Sequence, residues 1–228
     1  MRGKLIVIEG TDCSGKETQS KLLKEKLNKN GIKTEIVSFP CYDTPTGKII
    51  GGPLLGKEKF GNSFFIEGAP NVSAKLVSLY YAADRLYNIG KIRELINNGT
   101  NVILDRYVYS NMAFQGSKMN DDLERIEFFK WIEKLEFEHL ELPRTDINIF
   151  LHMPTEKTVE LLSKRSEKMD GNESDKKYLE KCEQTYFLIA KKYDFKTIEC
   201  VLNDNIKSIE QISDELYEFV LRSLKYLL

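Results

Sequence analysis

The chain is short of several things at once. In 228 residues it holds two histidines, four cysteines and no excess of charge, since 34 Lys and Arg against 35 Asp and Glu leave a formal net charge of −1. The near-neutral balance argues against a general nucleic-acid or anionic-membrane binder, because both need a sustained positive field. Cys13, Cys41, Cys182 and Cys200 stand far apart without a C-x-x-C pair. Neither a zinc site nor a disulfide framework is therefore expected, and free thiols in a reducing cytosol fit best. The apolar segment Lys4 to Glu9 is too short to span a bilayer or to form a signal core. A cytoplasmic protein without membrane attachment is expected. No internal repeat, low-complexity tract or linker appears, so residues 1–228 are read as one domain.

What is present is a regular alternation. Leu5–Ile8, Lys33–Phe39, Val102–Asp105, Ile147–Leu151 and Thr197–Val201 are apolar, β-branched runs of strand length. Helical spacing fills the gaps: Lys16–Asn30, Val72–Tyr87 with a stripe of Leu76, Leu79, Tyr80, Ala83 and Tyr87, Lys91–Asn98, a helix opened by Asp121 and Glu124, Thr155–Arg165, a segment reaching about Tyr193, and a last helix opened by Ser208 and Gln211. Residues 41–70 carry nine of the twenty glycines and prolines and read as a loop with at most one short helix. Strand–helix alternation of this kind builds βαβ units with right-handed crossovers. The predicted fold is α/β: a five-stranded, mostly parallel sheet covered by helices on both faces.

The strongest local signal is Gly10-Thr-Asp-Cys-Ser-Gly15-Lys16, which follows the first strand and opens the first helix. Glycines let backbone N–H groups turn inward around an anion, and the helix start adds unpaired donors and a positive dipole end. Lys16 brings a point charge for the outer phosphates. Gly10, Cys13, Ser14, Gly15, Lys16, Glu17 and Thr18 are the expected phosphate-binding residues. Glu17 stands where such loops place a magnesium-binding hydroxyl. Its carboxylate is expected to point to solvent, with Thr18 able to reach a phosphate oxygen. Cys13, near a helix start, is expected to have a lowered pKa and to be protected from thiol reagents by a bound nucleotide. A second element, Asp105-Arg106-Tyr107, ends a buried strand, where ligands of open parallel sheets lie. There Asp105 can order Mg²⁺ and Arg106 can bind phosphate.

Five motifs in this order resemble the thymidylate kinase family of P-loop nucleoside monophosphate kinases over nearly the whole chain. They are Gly10–Gln19, Phe39-Pro40-x-Tyr42, Ala83-Asp84-Arg85, Asp105-Arg106-Tyr107 with Ser110, Asn111 and Phe114, and a charged lid before a Tyr-rich helix. The resemblance implies a three-layer P-loop NTPase fold and transfer of the ATP γ-phosphate to dTMP with Mg²⁺, in a homodimer. It implies that Asp12 faces the acceptor nucleotide and that Phe39 and Tyr42 line its pocket. Tyr81 would stack on thymine, Arg85 would contact the base and Arg106 the acceptor phosphate. Ser110 and Asn111 would hydrogen-bond the pyrimidine edge, and Phe114 would pack on the sugar. Helix packing, pairing of Arg85 with Asp84 or Glu94, and core filling are the structural alternatives for Tyr81, Arg85 and Phe114.

Phosphoryl transfer needs alignment, charge neutralisation and exclusion of water. His139 and His152 are accordingly expected to be structural or on the surface. The lid is expected at about 164–175, with Lys164, Arg165 and Lys168 as its cations. Arg165 is the choice for a transition-state arginine, because Cys13 and Gly171 occupy the positions where many members of the family carry one. Lys16, Asp12, Arg106 and Arg165 form the expected catalytic set, and Asp12, Asp105 and Glu173 the expected metal set. The competing readings are a kinase for another pyrimidine nucleotide or a deoxynucleoside, and a catalytically weak nucleotide-binding relative. A GTPase is disfavoured because no N-K-x-D segment is present.

Overall fold

A computed structural model describes residues 2–163 and 176–226. Five parallel strands, β1 (Leu5–Gly10), β2 (Thr34–Ser38), β3 (Asn101–Asp105), β4 (Ile147–His152) and β5 (Lys196–Glu199), form one sheet in the order β2-β3-β1-β4-β5. β1 is central and every residue of it is buried. Its side chains alternate between two cores, as a strand covered on both faces requires. Leu5 and Val7 face a layer built from α3 (Ala74–Asn97), α4 (Val108–Gly116), α5 (Asp122–Ile132) and α7 (Lys176–Lys192). Ile6 and Ile8 face the layer of α1 (Lys16–Lys29) and α8 (Ile209–Tyr226). α6 (Thr155–Ser163) packs on α7. This is the expected three-layer α/β arrangement. A two-stranded antiparallel hairpin, β6 (Val201–Leu202) with β7 (Asn205–Ile206), was not foreseen.

The capping signals act as expected. Ser208 N–H donates to Gln211 Oε1 at 2.8 Å and Gln211 N–H donates to Ser208 Oγ at 3.2 Å, a reciprocal box at the start of α8. From there Ile212, Leu216, Val220 and Leu224 run along the buried face, while Ile209 at the first position stays exposed. Asp121 accepts from Glu124 N–H at 2.9 Å and opens α5.

Two expectations need correction. The helices expected at Val72–Tyr87 and Lys91–Asn98 are one helix, α3, which runs through Gly90 because Ile89, Ile92 and Ile96 keep a buried face on both sides of it. One mid-helix glycine costs about 1 kcal/mol, less than this burial returns. The stripe Leu76, Leu79, Ala83 and Tyr87 faces outward, and the buried face carries Val77, Ala82 and Arg85 instead. The 41–70 segment is more ordered than a loop. It forms α2 (Pro45–Ile49), a π-helical turn at Ile50–Leu54 and two 3₁₀ turns, around a small core of Ile50, Leu54, Val72 and Val77. Finally, α4 escaped the sequence reading.

Candidate active site

β3, β1 and β4 are neighbours, and the chain passes from one side of β1 to the other between β3 and β4. The crevice beyond their carboxyl ends is where a parallel sheet of this kind holds ligands. Gly10 ends β1 beside Leu151. A Cβ on Gly10 would meet Ser14 Oγ at 2.6 Å and the Leu151 carbonyl at 2.7 Å, so the loop closes this tightly only on glycine. Cys13 and Gly15 adopt left-handed φ angles of 57° and 75°. These turn the loop back on itself before α1, and Gly15 at the cap position has no side chain to occupy the first N–H groups. Thr11 Oγ1 donates to the Met153 carbonyl at 2.8 Å and accepts from Met153 N–H at 3.0 Å, which ties the loop to the end of β4. Ser14 Oγ donates to the Thr11 carbonyl at 2.7 Å.

Lys16 is buried and its ammonium lies inside the loop. It donates to the Gly10 carbonyl at 3.0 Å and the Thr11 carbonyl at 2.8 Å. Burial, with Arg106 acting in the same direction, lowers its pKa to about 8. Glu17 points to solvent as expected and pairs with Lys21 at 2.5 Å, one helical turn on. Thr18 is exposed on the same first turn.

Beside the loop opens a cleft of about 260 Å³. All nine residues expected to meet the acceptor nucleotide line it: Asp12, Phe39, Tyr42, Tyr81, Arg85, Arg106, Ser110, Asn111 and Phe114. Phe39 follows β2, precedes a cis bond to Pro40 and is buried against Tyr107. Tyr42 stacks on Phe60 with ring centroids 5.4 Å apart. Tyr81 and Arg85 stand four residues apart on α3, hence on one side of it. Asp84 points elsewhere. It accepts from Cys41 N–H at 2.8 Å and Thr46 Oγ1 at 2.7 Å, and so anchors the segment that carries Tyr42.

Arg106 has φ 66°, an uncommon conformation for a side-chain-bearing residue. Its guanidinium sits 3.2 Å from Asp12 Oδ1 and over the Phe114 ring at 5.0 Å. Burial opposes its charge, but Tyr186, Asp12, Glu9 and Asp105 outweigh this and raise its pKa. Asp105 lies at the end of β3, within electrostatic reach of Lys16, as is Asp12. Both offer the hard oxygen donors that suit Mg²⁺ alongside phosphates and water. Among the described residues no cluster of three or more His, Cys, Asp or Glu side chains is poised for a metal. The expected lid at 164–175, with Lys164, Arg165, Lys168 and Glu173, lies outside the described residues.

Several residues of the site were missed by sequence reasoning. Glu9 is fully buried at the end of β1. It accepts from Tyr107 N–H at 2.8 Å, Ser110 N–H at 3.0 Å, Ser110 Oγ at 2.5 Å and Tyr186 OH at 3.1 Å. It therefore fixes the start of α4, the helix bearing Ser110, Asn111 and Phe114. Burial outweighs these hydrogen bonds and raises its pKa. The signal was a carboxylate inside an otherwise apolar strand. Glu136, in a π-helical turn at Glu133–His139, is fully buried and grips Arg85 with both oxygens, Nε to Oε2 at 2.5 Å and Nη2 to Oε1 at 2.6 Å. Arg85 thus pairs with neither Asp84 nor Glu94. Gln115 and Lys118 also line the cleft from α4 and beyond, and Tyr178 lines it from α7. Lys118 donates to the Val72 carbonyl at 2.9 Å, and burial lowers its pKa to about 8.

Neither histidine lines the cleft. His139 is exposed, while His152, at the end of β4, is held between Glu199 at 2.5 Å and Glu183 at 2.7 Å. Glu183 also accepts from Thr155 N–H at 3.1 Å, at the first residue of α6.

The family model described as thymidylate kinase matches residues 8–215. A thymidylate kinase of Prochlorococcus marinus (strain AS9601) is 32% identical over 225 residues, covering 98% of each chain. That of Schizosaccharomyces pombe is 29% identical over 219 residues, covering 96% of this chain and 92% of the relative. The solved structure of Candida albicans thymidylate kinase superposes with a TM-score of 0.72 at 28% identity, covering 97% of this chain and 92% of that one. The chain belongs to the thymidylate kinase family.

Proposed function

We propose that the protein transfers the γ-phosphate of ATP to dTMP, giving dTDP and ADP, within a single P-loop kinase domain spanning residues 1–228. The observation that carries this reading is the adjacency of an anion-binding loop to a cleft whose polar and aromatic lining matches a pyrimidine nucleotide. The inward N–H groups of the loop and Lys16 take the donor's outer phosphates. Arg106 takes the acceptor phosphate, with Asp12 holding the guanidinium in place. The bond that forms joins an acceptor phosphate oxygen to the γ-phosphorus, and the bond that breaks joins that phosphorus to the β-bridging oxygen of the departing ADP. A phosphate monoester is already largely ionised at neutral pH, so the attacking oxygen needs no base. Aromatic stacking by Tyr81 and sugar packing by Phe114 hold the acceptor in register, a contribution of about 1–3 kcal/mol for the stacked base.

Mg²⁺ would be held by Asp12 and Asp105, directly or through water, and would neutralise charge on the phosphates. Arg165 and Glu173 remain the choices for the lid's cation and its carboxylate. The protein works as a homodimer in the cytoplasm, without nucleic acid. The support for a dimer is the outward apolar stripe of α3, where Leu79 is 46% and Tyr87 60% exposed beside Leu76 and Leu86. No helix among the described residues is long and apolar enough to cross a membrane. A coupled assay of ADP release tests the reaction with dTMP, dUMP, dCMP, thymidine and a no-acceptor control, each with several nucleoside triphosphates. Turnover with dTMP well above all other acceptors is expected. Turnover with thymidine, or ATP hydrolysis unaffected by any acceptor, would overturn the assignment.

A further inference from the structure

The orientation of the Asn111 amide is fixed by a residue not assigned above to substrate contact. Asn111 Nδ2 donates to Glu136 Oε1 at 3.0 Å and to the Ser78 carbonyl at 3.3 Å. Both partners can only accept when Glu136 is ionised, so both amide hydrogens are committed and a flipped amide would set oxygen against oxygen twice. Asn111 Oδ1 is left buried without a partner in a residue that lines the cleft. Glu136 in turn accepts the two-pronged grip of Arg85, itself buried. The chain of constraint runs Arg85 to Glu136 to the Asn111 nitrogen, and it ends on an acceptor without a partner in a residue of the cleft wall.

We infer that Glu136 is the positioning residue that makes the site read a hydrogen-bond donor on the base, and so select the N3–H of thymine and uracil against the unprotonated N3 of cytosine. This inference rests on the dTMP reading above. The π-helical turn brings Glu136 to this point, and Arg85 then serves the base through Glu136 as well as by lining the cleft.

The test compares kcat/KM for dTMP and dCMP in the wild-type protein, Glu136→Gln, Asn111→Ala and the double variant. In Glu136→Gln the acceptor of the Asn111 nitrogen loses its charge and the new amide nitrogen opposes Arg85, so the Asn111 amide is held less firmly. The dTMP-to-dCMP preference should fall at least about tenfold in Glu136→Gln, mainly through KM, and Glu136→Asp should recover part of it. In the Asn111→Ala background the Glu136 change should leave the preference where it is, because the two act through one contact. A purely structural role would lower both substrates together and leave the ratio intact, which would overturn the inference. So would a ratio change of the same size with Asn111 absent. If Glu136→Gln does not fold, the wild-type side-chain amide of Asn111 decides by nuclear magnetic resonance. Both its protons should be protected from solvent exchange before and after dTMP binds, and rapid exchange in the free protein would refute the anchoring. A wild-type protein inactive on dTMP would instead sink the functional reading itself, an outcome distinct from an unchanged ratio.

Discussion

Lys16 gives the most quantitative handle on the donor site. In the free protein its ammonium is buried among loop carbonyls, and its pKa falls from the ordinary 10.5 to about 8. At 1.36 kcal/mol per pH unit this is a burden of about 3 kcal/mol on the charged form. The sign follows from proton binding. Between about pH 8 and 10.5 the unfolded chain holds the Lys16 proton and the folded one does not, so this residue's contribution to stability rises with pH across that window. A triphosphate entering the loop reverses the local balance and restores the charged form. Binding of a non-hydrolysable ATP analogue should therefore take up about 0.5 proton at pH 8 and about 0.9 at pH 9, if the bound pKa returns to its ordinary value. Uptake at pH 7 should be about 0.1. Calorimetric titration in buffers of differing ionisation enthalpy measures this directly. Lys16→Met should abolish the uptake at pH 9 and weaken binding. Equal uptake in the variant, or none in the wild type between pH 8 and 9, would refute the placement of Lys16 as the buried charge of the donor site.

Other outcomes follow from the same geometry. Arg106→Lys keeps the charge but loses the planar fork, and should lower kcat/KM for dTMP by about 10²-fold with a smaller change in KM for ATP, measured in the coupled assay. Glu9→Ala strands the Tyr107 and Ser110 N–H groups and the Ser110 and Tyr186 hydroxyls, and should cost about 3 kcal/mol in denaturant unfolding, while Glu9→Gln, still able to accept, should cost much less. Leu79→Glu, on the outward face of α3, should give a monomer in sedimentation equilibrium with its helical content intact. An unchanged mass would move the proposed interface elsewhere.

What could be read from the sequence divides along the range of the interactions. Strands were legible because a strand buried on both faces needs a continuous apolar run, and Leu5–Ile8 and Val102–Leu104 have nothing else. The phosphate loop was legible because its physics is local: Gly10, Gly15 and Lys16 act within seven residues. The nine cleft residues came through the resemblance, and they converge because β1, β3 and their following loops end at one edge. Glu9 and Glu136 stayed hidden because their partners are far away in sequence. Glu9 meets Tyr107 and Ser110, and Glu136 meets Arg85 and Asn111, so neither leaves a pattern in its own neighbourhood. The Leu76–Tyr87 stripe left open which face of the helix meets the sheet. Helical periodicity finds an apolar face without saying what covers it, and here the buried face carries Arg85, paired with Glu136, and Asp84, hydrogen-bonded to Cys41 and Thr46. α4 was missed since its opening acceptor is Glu9, about a hundred residues earlier, in place of a local cap.

The central claim is that the loop and the cleft hold two nucleotides for direct transfer between their phosphates. Phosphorus magnetic resonance of the protein with ATP, Mg²⁺ and dTMP follows the transferred group itself. The single dTMP resonance should give way to the two coupled resonances of a thymidine diphosphate, with ADP appearing in equal amount. Growth of free inorganic phosphate with the dTMP resonance unchanged would contradict the account.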